Sequence, residues 1–293
     1  AVDPSNPYAL TEEEAALMEK IRGAFLRCGK LQQHVRFLFL KGSLYKVYNS
    51  NLLYHGCVPF DDKGDFKKVR IFGQEYSGKG LYDVLESYAR KGYYSKPGTK
   101  ERKDGQDIMW YIWLSENSPL FGKDKMATFE RYFLAEKETH KEKKNPYYLL
   151  LEDEKVVGKI LKEFGLENED AHIINGHVPV KTIKGEQPMK AGGKLLVIDG
   201  GFSKAYQPET GIAGYTLVYH SHGLQLVQHD PFQSTQKAIE EGQDIKSTTF
   251  VIEFNSQRMM VKDTDKGKEL VTQILDLKKL LVAYRIGLIK EKV

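Results

Sequence analysis

The sequence predicts an α/β fold that begins in helix, is mostly β in its second half and closes on a long helix. Three observations carry that expectation. Thr11 and Glu14 have the spacing of a capping box ahead of apolar residues recurring every three to four positions. From Pro146 onward, short apolar runs alternate with a helical stretch and with turn residues. Leu270, Ile274, Leu277, Leu281, Tyr284 and Leu288 form one stripe of an amphipathic helix.

The elements follow in chain order. Leu17, Ile21, Ala24, Phe25 and Cys28 predict a first helix facing a core; Gly29 is expected to break it and Leu31 to Lys41 to form a second. Asn51 to Val58 reads as a short apolar strand running into a Gly-Cys-x-Pro turn. Leu81 to Lys91 reads as a helix ended by Gly92 and Ser95-Lys96-Pro97-Gly98, and Lys100 to Asp107 as a polar, basic loop before the aromatic run Trp110-Tyr111-Ile112-Trp113. The mixed charges of Glu136 to Asn145 suit a solvated helix end or linker. Tyr147 to Leu151 is strand-like, Val156 to Phe164 helical, and Ala171 to Asn175 a strand leading into Gly176-His177. Further strands are predicted at Lys194 to Asp199, Gly214 to Tyr219, Leu224 to His229 and Thr248 to Phe254, with Ser221-His222-Gly223 as a hairpin turn and Gly192-Gly193 as another. The expected domains are a helical segment over 1–50, a central body over 51–263 with an insertion at about 83–150, and the closing helix over 264–293.

Composition bounds the function. The 293 residues are 41% hydrophobic, 29% charged and 11% aromatic, enough apolar mass for a core and too much for a disordered chain. No apolar run approaches the roughly 20 residues that span a bilayer, and Ala1-Val2-Asp3-Pro4 lacks a signal-peptide layout, so no membrane association is expected. A net charge of +4, spread along the chain, does not argue for nucleic acid but suits anionic metabolites. Two cysteines, Cys28 and Cys57, cannot build a disulfide framework, and a cytoplasmic location is expected.

The histidines carry most of the chemical signal. His55 ends an apolar strand and precedes Gly56-Cys57-Val58-Pro59; His177 ends another and precedes Val178-Pro179-Val180. Ligands of α/β sheets collect beyond the carboxyl ends of strands, where a histidine flanked by glycine can present its ring. Either residue alone reads equally well as a packed histidine; the recurrence points to one shared metal site. His220 and His222 sit in a predicted turn exposed to solvent, and His34 and His140 on helical or charged surfaces. Asp170-Ala171-His172 imitates a metal motif, but its aspartate precedes the strand; Gly64-Asp65 lies in a polar turn. Lys123, Lys125 and Arg131 follow a polar, aromatic stretch from Trp113 to Gly122 and could grip phosphate, or simply flank a capped helix start. Val197-Ile198-Asp199-Gly200-Gly201-Phe202 is a strand end that is either a turn or a place for close backbone approach to a ligand.

The ordered set Tyr54-His55-Gly56-Cys57-Val58-Pro59, Trp113-Leu114-Ser115 through Gly122-Lys123-Asp124-Lys125-Met126-Ala127-Thr128-Phe129-Glu130-Arg131, Asn175-Gly176-His177-Val178-Pro179-Val180-Lys181 and Leu196-Val197-Ile198-Asp199-Gly200-Gly201-Phe202-Ser203-Lys204-Ala205-Tyr206 resembles the class III fructose-1,6-bisphosphatases of Firmicutes and related bacteria. More distantly it is similar to the calcineurin-like metallophosphoesterases. The closer resemblance spans almost the whole chain. It implies part of a calcineurin-like sandwich, in which sheets carry helices on their outer faces. It further implies hydrolysis of fructose 1,6-bisphosphate to fructose 6-phosphate in gluconeogenesis, with a dinuclear Mn²⁺ or Mg²⁺ centre and regulation by nucleotide or glycolytic-intermediate effectors. Matched residue by residue, His55 and His177 correspond to the two histidines of the second metal, with Lys123, Lys125 and Arg131 on substrate phosphate.

The sequence also departs from that pattern. The Asp-x-His, Gly-Asp-x-x-Asp-Arg-Gly and Gly-Asn-His motifs that precede the first of these histidines in the superfamily do not occur before His55. With them go the ligands of the first metal, the bridging aspartate and the histidine that protonates the leaving group, so no catalytic acid or base is assigned here. The expectation is a C-terminal portion of a longer enzyme, inactive alone. Two alternatives stand beside it: a metallophosphoesterase acting on a phosphoprotein or a dinucleoside polyphosphate, and a non-catalytic regulatory or oligomerisation domain whose closing helix pairs with a partner subunit as a homo-oligomer.

Overall fold

In the computed structural model, residues 5–242 and 246–290 are described. The chain divides into two units, Ala1–Ser43 and Leu44–Val293. The first holds α1 (Glu12–Arg27) and α2 (Gly29–Lys41). Thr11 Oγ1 accepts from Glu14 N–H and the Glu14 carboxylate accepts from Thr11 N–H, so the capping box forms as read. The break falls at Cys28, and Gly29 opens α2. Leu17, Ile21 and Phe25, expected to face a core, are exposed.

In the second unit come β1 (Tyr45–Tyr48), β2 (Asn51–Tyr54), the hairpin β3 (Val69–Ile71) and β4 (Gln74–Tyr76), then α3 (Gly78–Tyr94) and α4 (Lys100–Leu114). Two expectations fail here. Gly92 does not end its helix, and Lys100 to Asp107 is not a loop. Thr99 caps α4, Lys100 pairs with Asp104 one turn on, and Gly105 faces Gly92. A Cβ on Gly92 would lie 2.7 Å from the Gly105 carbonyl carbon. These glycines let two helices cross backbone to backbone, a tertiary use that outweighs their low helix propensity.

After the short α5 (Thr128–Phe133), Pro146–Leu149 forms a 3-10 turn where a strand was predicted. The Asn145 side-chain oxygen accepts from Tyr147 N–H and Phe60 N–H, and proline is pre-set for a helical start. Then follow α6 (Glu154–Glu163), β5 (His172–Asn175), β6 (Met189–Lys190), β7 (Leu195–Val197), α7 (Gln207–Thr210), β8 (Gly214–His220), β9 (Gly223–His229), α8 (Thr235–Glu240), β10 (Ser247–Phe254) and α9 (Asp265–Arg285). The larger sheet has the order β1-β2-β5-β7-β6, with β2, β5 and β7 parallel and the edge strands antiparallel. The other is the antiparallel meander β10-β9-β8.

The fold is thus mixed α/β. One core cluster joins both sheets: Leu52, Ile173 and Leu195 from the parallel strands meet Tyr215 and Leu226 from the meander, with Val157 and Ile160 of α6. Every residue of β5 and β7 is buried, as suits strands covered on both faces. The predicted stripe on α9 does form a helix, although Leu288 lies beyond its end, and Leu270, Ile274, Leu277, Leu281 and Tyr284 are exposed. Among the described residues no helix is long and apolar enough to cross a membrane.

Candidate active site

Three adjacent parallel strands each end in a polar residue: β2 runs into His55, β5 into Asn175-Gly176-His177, and β7 into Ile198-Asp199. Backbone pairing continues past the strand ends and fixes their relative height. Gly176 N–H donates to His55 O at 2.9 Å, Ile198 N–H to Asn175 O at 2.9 Å, and Val180 N–H to Asp199 O at 2.8 Å. His177 has φ +67°, in the left-handed region that non-glycine residues seldom adopt, and Val178 N–H closes a tight turn onto Gly176 O. The backbone, more than a side-chain rotamer, therefore aims this ring.

The loop behind His55 is held at three backbone groups. Gly56 O accepts from the Asn175 amide at 3.0 Å, Cys57 N–H donates to Pro119 O at 2.9 Å, and Cys57 O accepts from the Tyr82 hydroxyl at 2.9 Å. The facing segment is tightened by Ser118, whose hydroxyl donates to Ile112 O and accepts from Leu120 N–H. Contact is close enough to demand glycine at position 56: a Cβ there would lie 2.5 Å from Pro119 O. The polar, turn-rich stretch after Trp113 is thus partly core, with Ser118 fully buried and Phe121 nearly so. Burial pushes the Cys57 thiol up to about 12, so it is held as the thiol.

The two histidines meet. His55 Nε2 lies 3.0 Å from His177 Nδ1, with the rings edge to face, and His177 Nε2 lies 2.9 Å from Phe121 O. A carbonyl only accepts, so His177 carries its proton on Nε2. Its Nδ1 is then the acceptor, and His55 donates from Nε2. Burial lowers the pKa of both rings; for His177 the neighbouring His55 lowers it further, and Asp199 opposes the shift at each. Both stay neutral to lower pH than an ordinary histidine, the state in which imidazole binds metals. Asp199 anchors its own turn, accepting from Gly201 N–H, and its side chain approaches the open space at Gly176.

The basic run is arranged differently. Lys123 Nζ donates to Glu142 Oε2 at 3.0 Å, and Arg131 reaches Glu142 Oε1 at 3.4 Å, where Ala127 N–H also donates at 3.0 Å. Burial alone would raise the Glu142 pKa, but Ala127 N–H, Lys123 and Arg131 outweigh it and hold the carboxyl below its ordinary value. Lys125 donates to Thr139 O, and Arg131 also to His140 O. The mixed-charge run 136–145 is therefore a strap that binds these cations rather than a free linker. Lys123 is still close enough to His177 to lower its pKa.

A cation that sequence reading missed is Lys144. It is exposed, pairs with Lys123 in an antiparallel bridge and sets its ammonium over the Tyr148 ring; desolvation of that ammonium, Lys123 and Lys181 lower its pKa while Glu186 opposes. Position in a charge run gave no signal of this. The remaining histidines lie apart. His172 is buried and 4.0 Å from Glu253, while His220 and His222 are half-buried in the β8–β9 turn, His222 lying 3.0 Å from Asn255 O. Among the described residues no group of three or more His, Cys, Asp or Glu side chains is arranged to hold a metal ion.

Comparison with known proteins gives one answer. The family model described as Firmicute fructose-1,6-bisphosphatase matches residues 1–286. Proteins named fructose-1,6-bisphosphatase class 3 from Bacteroides fragilis, Bacteroides thetaiotaomicron and Clostridium tetani are 69%, 66% and 57% identical over 292 residues. Each alignment covers 100% of this chain and 44% of the relative, so the chain spans less than half the length of these curated relatives. No solved structure matches.

Proposed function

The chain belongs to the Firmicute fructose-1,6-bisphosphatase family, and from that premise we propose that it forms the histidine-bearing part of an enzyme that hydrolyses fructose 1,6-bisphosphate to fructose 6-phosphate and phosphate. The observation that carries the reading is the meeting of His55 Nε2 and His177 Nδ1 at 3.0 Å beyond two parallel strands.

The donor set fits half of a divalent-metal site. His55 Nε2 and His177 Nδ1 converge on one point beyond the strand ends, and these two imidazoles would hold the ion. His177 already has the tautomer required, with Nε2–H anchored on Phe121 O and its lone pair on Nδ1, the outer-shell arrangement usual for a metal-binding histidine. His55 would move its proton from Nε2 to Nδ1 to free its lone pair. Two side chains do not complete a coordination shell, so further ligands must come from other parts of the full-length protein. With those ligands, His55 and His177 would complete a dinuclear Mn²⁺ or Mg²⁺ centre, and this chain's sheets would form part of a calcineurin-like sandwich. When bound, such ions polarise phosphoryl oxygens and supply hydroxide as nucleophile.

The chain's own residues hold and orient. Lys123, closest in effect to His177, and Lys144 beside it would draw a phosphate toward the histidines, with Lys125 and Arg131 keeping the loop in shape through Thr139, His140 and Glu142. The strand-end glycines keep bulk away from the approach.

The test uses full-length protein with Mn²⁺ and fructose 1,6-bisphosphate, following phosphate release. His55→Ala and His177→Ala should each lower turnover by about 10³-fold or more, in the range of lost catalytic groups. Wild-type turnover in both variants would overturn the reading. Preferred turnover of a phosphoprotein or a dinucleoside polyphosphate would keep the histidine chemistry and replace the substrate.

A further inference from the structure

A buried polar relay lies behind the histidines, and none of its members can touch a substrate. The Asn175 amide nitrogen donates to Gly56 O at 3.0 Å and to the Tyr147 hydroxyl at 2.7 Å. That hydroxyl lies 2.7 Å from the Tyr54 hydroxyl. All three side chains are buried, Asn175 at 3% exposure, Tyr147 at 1% and Tyr54 at 6%. Tyr54 and Gly56 are the two chain neighbours of His55, and Asn175 stands two residues before His177. The relay therefore grips His55 on both sides from the strand that carries its partner.

The orientation of the amide is forced. Gly56 O can only accept, so the nitrogen of Asn175 must face it, and the oxygen is left buried with no hydrogen-bond partner among the described residues. A buried, unpartnered oxygen is unfavourable; an apolar side chain of similar size would avoid it but would take from Gly56 O and the Tyr147 hydroxyl the donor they now have. What the amide supplies, and leucine could not, is a fixed distance between the strand end of β5 and the carbonyl that follows His55.

We infer that Asn175, backed by Tyr147 and Tyr54, is a positioning residue that sets the gap between His55 Nε2 and His177 Nδ1. This rests on the reading of that pair as metal-holding. A cation bridging two nitrogens is sensitive to their separation, and loss of outer-shell partners of metal-binding histidines typically costs about 10- to 100-fold in metal affinity or activity. The relay is graded. Asn175→Ala removes both links, Tyr147→Phe removes the hydroxyl anchor while keeping the ring, and Tyr54→Phe removes only the far end.

The experiment measures Mn²⁺ binding to the full-length protein by electron paramagnetic resonance of free Mn²⁺, at a temperature well below each variant's unfolding, together with kcat and KM for fructose 1,6-bisphosphate. Mn²⁺ affinity and kcat should fall in the order Asn175→Ala, Tyr147→Phe, Tyr54→Phe, by about 10- to 100-fold at the first, with KM little changed. If Asn175→Ala melts at lower temperature yet binds Mn²⁺ and turns over like wild type, the relay is only structural and the inference fails. Should Asn175→Ala not fold, Tyr147→Phe decides: unchanged Mn²⁺ affinity there refutes the inference. His55→Ala separates the two levels. Mn²⁺ affinity retained in His55→Ala sinks the metal-site reading itself, whereas affinity lost there but kept in Asn175→Ala sinks only the relay.

Discussion

His55 and His177 stand 122 residues apart and meet at 3.0 Å, whereas Lys123 and Arg131, near neighbours in sequence, meet only through Glu142. The difference lies in what carries each group. The histidines sit one or two residues past strands whose register is set by backbone pairing and a shared apolar core, so their positions follow from the sheet. Lys123 rides on a loop and Arg131 on the short α5, and the segment's shape depends on their own ion pairs. A strand end can place chemistry without involving the side chain; a loop must spend some of its charges on holding itself together.

After loss of the histidines themselves, the largest effect expected in this comparison comes from breaking the strand-end side where it is tightest. Gly56→Ala would press a methyl group to 2.5 Å from Pro119 O and 3.3 Å from Leu120 O, in the segment that presents Phe121 O to His177. Overpacking of this kind costs about 1–3 kcal/mol. Urea unfolding should show that loss, and phosphate release by the full-length enzyme should fall by well over tenfold. Unfolding and turnover unchanged from wild type would mean that the two loops are not locked together. A smaller, different effect is expected on the loop side. Lys144→Met keeps the stem over Tyr148 and removes the charge, so KM for fructose 1,6-bisphosphate should rise by about tenfold, the scale of one charge-assisted hydrogen bond, with kcat nearly unchanged. A fall in kcat at constant KM would instead place Lys144 in the chemical step.

The smallest effect tests a histidine outside the site. Burial lowers the pKa of His172, with Lys194 acting in the same direction and Glu253 and Asp170 opposing. As pH falls below the ordinary histidine value of about 6.5, the unfolded chain takes up this proton first, so stability is lost from there downward through the folded pKa. Thermal unfolding between pH 8 and 5 should show that acid limb, and His172→Gln should flatten it. An equal slope in both proteins would assign the limb to other groups.

What the sequence made legible follows the same division. The histidine pair, α6, β5 and the β8–β9 hairpin were readable because local apolar pattern and turn residues agree with their tertiary use. Lys100 to Asp107 misled because its helix depends on Gly105 meeting Gly92 on another helix, and Tyr147 to Leu151 because Asn145 turns an apolar run into a 3-10 turn. Asn175, Glu142 and Lys144 gave no signal, since their roles lie in partners distant along the chain. Glu142 looked like one charge among many until the cations around it came into view.

The glycine crossing of α3 and α4 has a practical side as well. Both tryptophans of the chain, Trp110 and Trp113, lie on α4, exposed and with their rings edge to face at 5.3 Å. Ultraviolet emission from this chain therefore reports on that helical hairpin and on solvent at its surface. A fluorescence change on adding Mn²⁺ would be read at α4, whose Ile112 O accepts from Ser118 in the segment that faces the His55 loop.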